Sequence, residues 1–306
     1  MSSHNHSHDH THGHNHNHAH NANKKTLFIS FLLIATFMIV EVIGGILTNS
    51  LALLSDAGHM LSDAAALGLS LLAFKFGEKK ANNEKTYGYK RFEILAAFLN
   101  GLTLIVISLY IFYEAYHRFF APPEVVGAGM MTISVIGLII NILVAFILMK
   151  GGDTSENLNM RSAFLHVLGD LLGSVGAIIA ALLIIFFGWN IADPIASVIV
   201  AVLILVSGIR VFRDSVDVLM EGKPANVDFE QIQAFLQKQK GVISVHDLHV
   251  WSITSDFPSL TVHLQVAEGV DRDLLLEKIQ TGLAESFQIS HCTIQMEQRH
   301  NHEHCN

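Results

Sequence analysis

Six apolar stretches follow one another through the first two thirds of the chain, at 26–48, 51–76, 92–116, 126–149, 160–187 and 191–212. Each reaches the length, about 20 residues, that a helix needs to cross a bilayer core. The breaks between them carry turn chemistry, namely LTNS, EKKANNEKTYGY, APPE, KGGDTSEN and FGWNIADP. The pattern predicts six spanning helices. From residue 213 the apolar runs stop, and a shorter alternation begins. It predicts a helix at 228–240, a strand SVHDLHVWSIT, a turn at SDFPS, a strand LTVHLQVA, a helix at 271–286 and a strand HCTIQME. That order describes a small α/β sandwich.

Composition agrees: 51% of the 306 residues are hydrophobic and only 15% are charged, a membrane-protein profile. Lys and Arg sort by loop. Lys24 and Lys25 precede the first helix, and Lys75, Lys79, Lys80, Lys85, Lys90 and Arg91 lie between helices 2 and 3. Two more flank the break between helices 4 and 5, and two follow helix 6. The alternate breaks hold only Arg118. The positive-inside rule therefore puts both termini in the cytoplasm. The polar, His-rich N-terminus shows no cleavable signal peptide. Residues 213–306 hold 7 Lys and Arg against 14 Asp and Glu, a balance of −7 within the chain's −8, which argues against a nucleic-acid partner. The two cysteines, Cys292 and Cys305, fall on the cytoplasmic side, so a disulfide framework is not expected.

Two strings inside the apolar stretches carry chemistry: HMLSD at 59–63 and HVLGD at 166–170. An ionised Asp at the centre of a spanning helix costs about 2.5–3.5 kcal/mol on insertion scales, so Asp63 and Asp170 need partners or a use. His and Asp at i and i+4 share one helix face. His59 with Asp63 on helix 2, and His166 with Asp170 on helix 5, thus supply two nitrogens and two oxygens. Zn²⁺ takes four such ligands in a tetrahedron. Small residues stand beside both pairs: Gly58, Ser62, Ala65 and Ala66 near the first, Gly169, Gly173 and Gly176 near the second. They let helix backbones approach closely. A single such pair could equally be an internal hydrogen bond or a proton relay, but two copies favour the shared metal site. Glu41, Asn100 and Asn141 are read as helix packing or a water-lined path ahead of direct ligation.

Imidazole binds metal only when neutral, and its unperturbed pKa of about 6.5 lies near cytoplasmic pH. Metal arrival therefore displaces protons and proton arrival displaces metal. A site opened alternately to the two membrane faces would exchange Zn²⁺ for H⁺, and an inward proton gradient would drive zinc outward. A passive metal channel and a membrane-anchored metal sensor are the competing readings, and none of the three is an enzyme. A channel needs weak or multiple sites for fast exit. A mere anchor has no need of His and Asp in two helices.

LALLSDAGHMLSDAAALG, TYGYKRFEILAAFLNG, SAFLHVLGDLLGSVG, DPIASVIVA and SVDVLMEGKP resemble the cation diffusion facilitator family, in its bacterial zinc, cadmium and cobalt efflux branch. The resemblance runs from about residue 26 to 297. It implies a homodimer of six-helix protomers in the cytoplasmic membrane, a metallochaperone-like (ferredoxin-like) cytoplasmic domain, and metal/proton antiport. It also implies that His59, Asp63, His166 and Asp170 ligate the transported ion. Manganese and iron members tend to carry Asp where His59 stands, so His59 favours zinc, the metal that suits imidazole. The family's regulatory cytoplasmic sites match His246, His263 and Glu297 by position. His246 and His263 lie in adjacent strands and can face one another; the alternative is a pair of solvent-facing strand histidines. His249, three residues from His246, would point to the opposite face of a regular strand and is left out. Arg91 and Glu221 match a hinge contact of the family. The loop between helices 2 and 3, which carries metal ligands in some relatives, has no His or Cys here and is expected to bind none.

These readings divide the chain into a disordered His-rich cytoplasmic tail at 1–25, a six-helix transport domain at 26–212 and a cytoplasmic metal-binding and dimerisation domain at 213–306. The first tail has His at every second position from His4 to His20, nine in all. Such a composition cannot bury a core. A local zinc reservoir is the expected role, shared by the C-terminal HNHEHC, and neither tail is expected to be essential for turnover.

Overall fold

The computed structural model describes the backbone of residues 16–77, 82–151, 157–254 and 257–298, and the side chains of 27–69, 71, 82–147, 171–254 and 257–298. Six long helices come first: α1 (His16–Thr48), α2 (Leu51–Gly77), α3 (Arg91–Phe120), α4 (Gly127–Gly151), α5 (Asn157–Phe187) and α6 (Ala192–Leu219). Then follow α7 (Phe229–Gln237), β1 (Val242–Ser252), β2 (Pro258–Val266), α8 (Arg272–Phe287) and β3 (His291–Glu297). The order is the one the periodicity predicts. α6 runs seven residues past the apolar stretch because RDSVDVL forms helix readily without being apolar, and hydropathy registers only the part that meets lipid.

Among the described residues, Leu27–Thr48, Arg91–Phe120, Gly127–Ile147 and Ala192–Leu219 are long and apolar enough to cross a membrane by themselves, and α5 contributes the apolar Leu171–Phe187. In α2, one continuous helix, Asp56, His59 and Asp63 break the apolar run. Ile43, Ile46, Leu47, Leu99, Val106 and Ile139 are all more than half exposed. A rim of large apolar side chains facing outward from helices suits hydrocarbon, where the backbone is already satisfied within each helix.

The chain forms two compact units, Met1–Leu71 with Ile107–Ile204, and Leu72–Val106 with Leu205–Asn306. In the first, the turn LTNS closes α1 and opens α2. Asn49 takes the left-handed conformation (φ 56°) that ends helices, and the Ser50 hydroxyl accepts from the Leu53 amide at 3.2 Å as the α2 cap. Asp193, in the first turn of α6, completes that cap from outside. Its carboxylate accepts from Ser50 Oγ (2.6 Å), Leu51 N (2.8 Å) and Ala52 N (3.1 Å), and Arg118 Nη1 stands 3.7 Å away. Ala52, Ala177, Ala180, Ala181, Ala192 and Ala196 fill the core here, small residues that bring membrane helices close.

In the second unit α3 meets α6 through Phe98 and Phe212, with ring centroids 4.9 Å apart, and through Gly101, where a Cβ would lie 2.7 Å from Phe212 N. The soluble part is a three-stranded sheet in the order β1-β2-β3, antiparallel between β1 and β2, parallel between β2 and β3. The parallel pair requires a crossover, which α8 supplies. Leu260, Val262, Leu264 and Val266 of β2 alternate onto the face that packs Ile232, Leu236, Leu275, Ile279 and Leu283 of α7 and α8. Asp228 and Asp271 cap the two helices. The other face of the sheet carries His263 and the residues around it.

Candidate metal sites

In the first unit, α2 presents Asp56, His59 and Asp63 at i, i+3 and i+7, one continuous face. Asp56 is 1% exposed, Asp63 is buried and His59 half-buried. Ser174 Oγ of α5 donates to Asp56 Oδ2 at 3.1 Å, and Asn141 Nδ2 of α4 reaches Ser174 Oγ at 3.4 Å. The fully buried Glu41 carboxyl of α1 stands beside Asp56. Four helices therefore turn polar groups inward at one place. Two glycines make the room: a Cβ on Gly173 would collide with Asp56 Oδ1, and one on Gly137 would come within 2.9 Å of Glu41 Oε1. Gly176, one turn on, has nothing within 4 Å of such a Cβ. Gly58 turns toward Ile107 and Ile204 instead. The side chains of His166 and Asp170 lie outside the described residues.

Asp56 escaped the sequence reading, although its signal was there. It precedes His59 by three residues and Asp63 by seven, the spacing of a single helix face. Glu41 and Asn141, read as packing or path residues, lie in the same polar group.

The outer face of the cytoplasmic sheet carries the second cluster. His246 pairs directly with His263 across β1 and β2, and the rings meet edge to face with centroids 5.5 Å apart. Glu297, at the end of β3, pairs with Gln265 and so stands diagonal to His263. Its Oε2 is 3.6 Å from His246 Nε2, and its Oε1 is 3.4 Å from His263 Nδ1. All three residues offer ligand atoms within 4.8 Å of one another. Donors on a tetrahedron around Zn²⁺ with bonds near 2.1 Å sit about 3.4 Å apart. The donor set, two imidazoles and a carboxylate, is one that zinc accepts, and the two Glu297–imidazole separations, 3.6 and 3.4 Å, are close to that edge.

One expectation fails here. β1 is not a regular strand: between the pairs His246↔His263 and His249↔Thr261 it has one residue more than β2. Asp247 sits in this β-bulge with φ 50°. The extra residue reverses the alternation, so Leu248 and Val250 pack on the core while His249 shares the outer face with His246. Asp247 Oδ1 lies 2.9 Å from His249 Nε2, and Oδ2 lies 3.6 Å from His263 Nε2.

The loop between α2 and α3 also meets this sheet, within the same unit. Tyr87 Oη is 3.3 Å from His291 Nε2, and Lys90 Nζ lies over the Phe257 ring at 3.6 Å. Arg91 Nη2 donates to Glu221 Oε1 at 3.2 Å, the charge pair that the resemblance implies, and both side chains are exposed. On the inner side of β3, burial raises the Cys292 thiol pKa above its ordinary value, and a Gln280 hydrogen bond opposes this only in part.

The model of the cation efflux transmembrane domain matches residues 27–220, and that of the cation efflux protein cytoplasmic domain matches residues 224–299. The chain belongs to the cation efflux family. It is 57% identical over 286 residues to the cadmium, cobalt and zinc/H(+)-K(+) antiporter of Bacillus subtilis (strain 168), covering 92% of each chain. To the zinc transporter ZitB of Escherichia coli (strain K12) it is 48% identical over 276 residues, 90% of this chain and 88% of that one. To the metal cation efflux system protein CzcD of Cupriavidus metallidurans it is 42% identical over 276 residues, 90% of this chain and 87% of that one. A solved structure, the metal-bound C-terminal domain of the CzcD transporter, is 39% identical, covering 23% of this chain and 99% of that chain at a TM-score of 0.23.

Proposed function

We propose that this cation efflux protein is a proton-coupled exporter of Zn²⁺, with Cd²⁺ and Co²⁺ as further substrates, working as a homodimer in the cytoplasmic membrane by alternating access. The transport domain spans 26–212 and the cytoplasmic domain 213–306. His59, Asp63, His166 and Asp170 ligate the transported ion. The observation that carries this reading is the Asp56–Ser174 hydrogen bond between α2 and α5. His59 follows Asp56 by three residues, and Asp170 precedes Ser174 by four. The loop charges make these helices antiparallel. In that register one helical turn brings His59 level with Asp170, and two turns bring Asp63 level with His166.

The chemistry follows from the donors. Each imidazole must give up its proton to bind the ion, so loading from the cytoplasm and release outside run against proton movement in the other direction. The buried carboxylates favour a divalent cation over an empty, dry site. His246, His263 and Glu297 hold a further Zn²⁺ in the cytoplasmic domain, where three protein donors leave a fourth position for water.

Zinc uptake into everted vesicles with an imposed pH gradient tests this, comparing wild type with Asp63→Ala. The expected result is proton-driven accumulation that vanishes in the variant. Downhill flux indifferent to the gradient would mean a channel, and no flux at all a sensor.

A further inference from the structure

A histidine that ligates metal through one ring nitrogen carries a proton on the other, and that N–H needs an acceptor to hold the ring's tautomer and orientation. His263 turns Nδ1 toward Glu297 Oε1 at 3.4 Å, and Nε2 toward Asp247 Oδ2 at 3.6 Å. Asp247 reaches that place only because it occupies the bulge. On an unbroken strand, residue 247 would point to the core face with Val245. The left-handed backbone at φ 50° is one that Asp tolerates better than most residues. Its other oxygen is held at 2.9 Å by His249 Nε2, so the carboxylate is gripped on the side away from His263. At 3.6 Å the contact is longer than a hydrogen bond, and a small rotation of Asp247, whose side chain is 27% exposed, closes it to one.

We infer that Asp247 is a positioning residue of the cytoplasmic metal site: it accepts the Nε2 proton of His263 and thereby aims Nδ1 at the ion, while His249 braces the carboxylate from outside. The inference rests on His246, His263 and Glu297 being that site. Asp247 itself stays off the metal, since its oxygens face the nitrogen of His263 that does not look toward Glu297.

The test uses the full chain in detergent with Trp189→Phe, which leaves Trp251 as the one tryptophan. Trp251 lies two residues beyond His249 on β1, and bound Co²⁺ quenches it. Free Co²⁺ is set with a chelator buffer, and ligand-field absorption is recorded over the same range. Asp247→Gly keeps the left-handed backbone and removes the carboxylate. It should raise the half-quenching Co²⁺ concentration about 10- to 100-fold with the absorption bands unchanged in shape. Asp247→Asn retains an accepting oxygen without the charge and should fall between. Wild-type affinity in Asp247→Gly would reduce Asp247 to a former of the bulge, and altered bands would make it a ligand; either overturns the proposal. His263→Ala should abolish the quenching. Were it to quench like wild type, the metal site itself would be wrong and the proposal would fall with it.

Discussion

Replacing Gly173 with Ala puts one methyl group where α5 touches Asp56. The new Cβ collides with Oδ1 of a carboxylate that is 1% exposed and bonded to Ser174, and it lies 3.3 Å from Cγ. Asp56 has only two side-chain torsions and is almost wholly buried, so either it swings off Ser174 or α5 moves away. Overpacking of this kind costs about 1–3 kcal/mol. Losing a buried hydrogen bond to a charged group costs about 1.5–3 kcal/mol. The lower cost of the two routes decides the outcome, so roughly 1–3 kcal/mol is expected. At about 1.4 kcal/mol per factor of ten, that slows transport roughly 5- to 150-fold where transport requires the undisplaced register. Gly176→Ala is the control, because its Cβ meets nothing within 4 Å, and Ala favours helix over Gly by about 1 kcal/mol. The assay is the initial rate of pH-gradient-driven zinc uptake in everted vesicles, normalised to protein in the membrane. Wild-type rates in Gly173→Ala, or equal losses in both variants, would refute the reasoning.

Asp193→Ala removes the outside half of the α2 cap and leaves Arg118 without its buried partner; a loss of roughly 2–4 kcal/mol is expected, read as a lower Tm in detergent, with Asp193→Asn intermediate and an unchanged Tm counting against the cap. Because burial raises the Cys292 pKa above its ordinary value of 9.0, its thiol should stay protonated at neutral pH. In a Cys305→Ser background, iodoacetamide should label it more slowly than a free thiol, at a rate still rising with pH above 9; a plateau below 9 would contradict this.

The Asp56 case shows how far a helix can be read from its own residues. Spacing alone marks 56, 59 and 63 as one face, but nothing in α2 says that Ser174, Asn141 and Glu41 meet it. The strand His249 shows the converse. Strict alternation sends it to the opposite side from His246, and a single extra residue at Asp247 brings it back.

What the amino-acid order determined by itself was local: six apolar lengths that fit a bilayer, and pairs of metal-binding groups one helical turn apart. These depend only on neighbours within about seven residues, so 3.6- and 2-residue periods reveal them. What only the tertiary structure decided was which of those faces meet. The Asp56–Ser174 contact joins residues 118 apart. Glu297 comes to His246 and His263 because α8 carries β3 back parallel to β2. The reach of a bulge across the β1–β2 ladder is set by the partner strand, whose alternating core residues cannot shift register without leaving the hydrophobic layer.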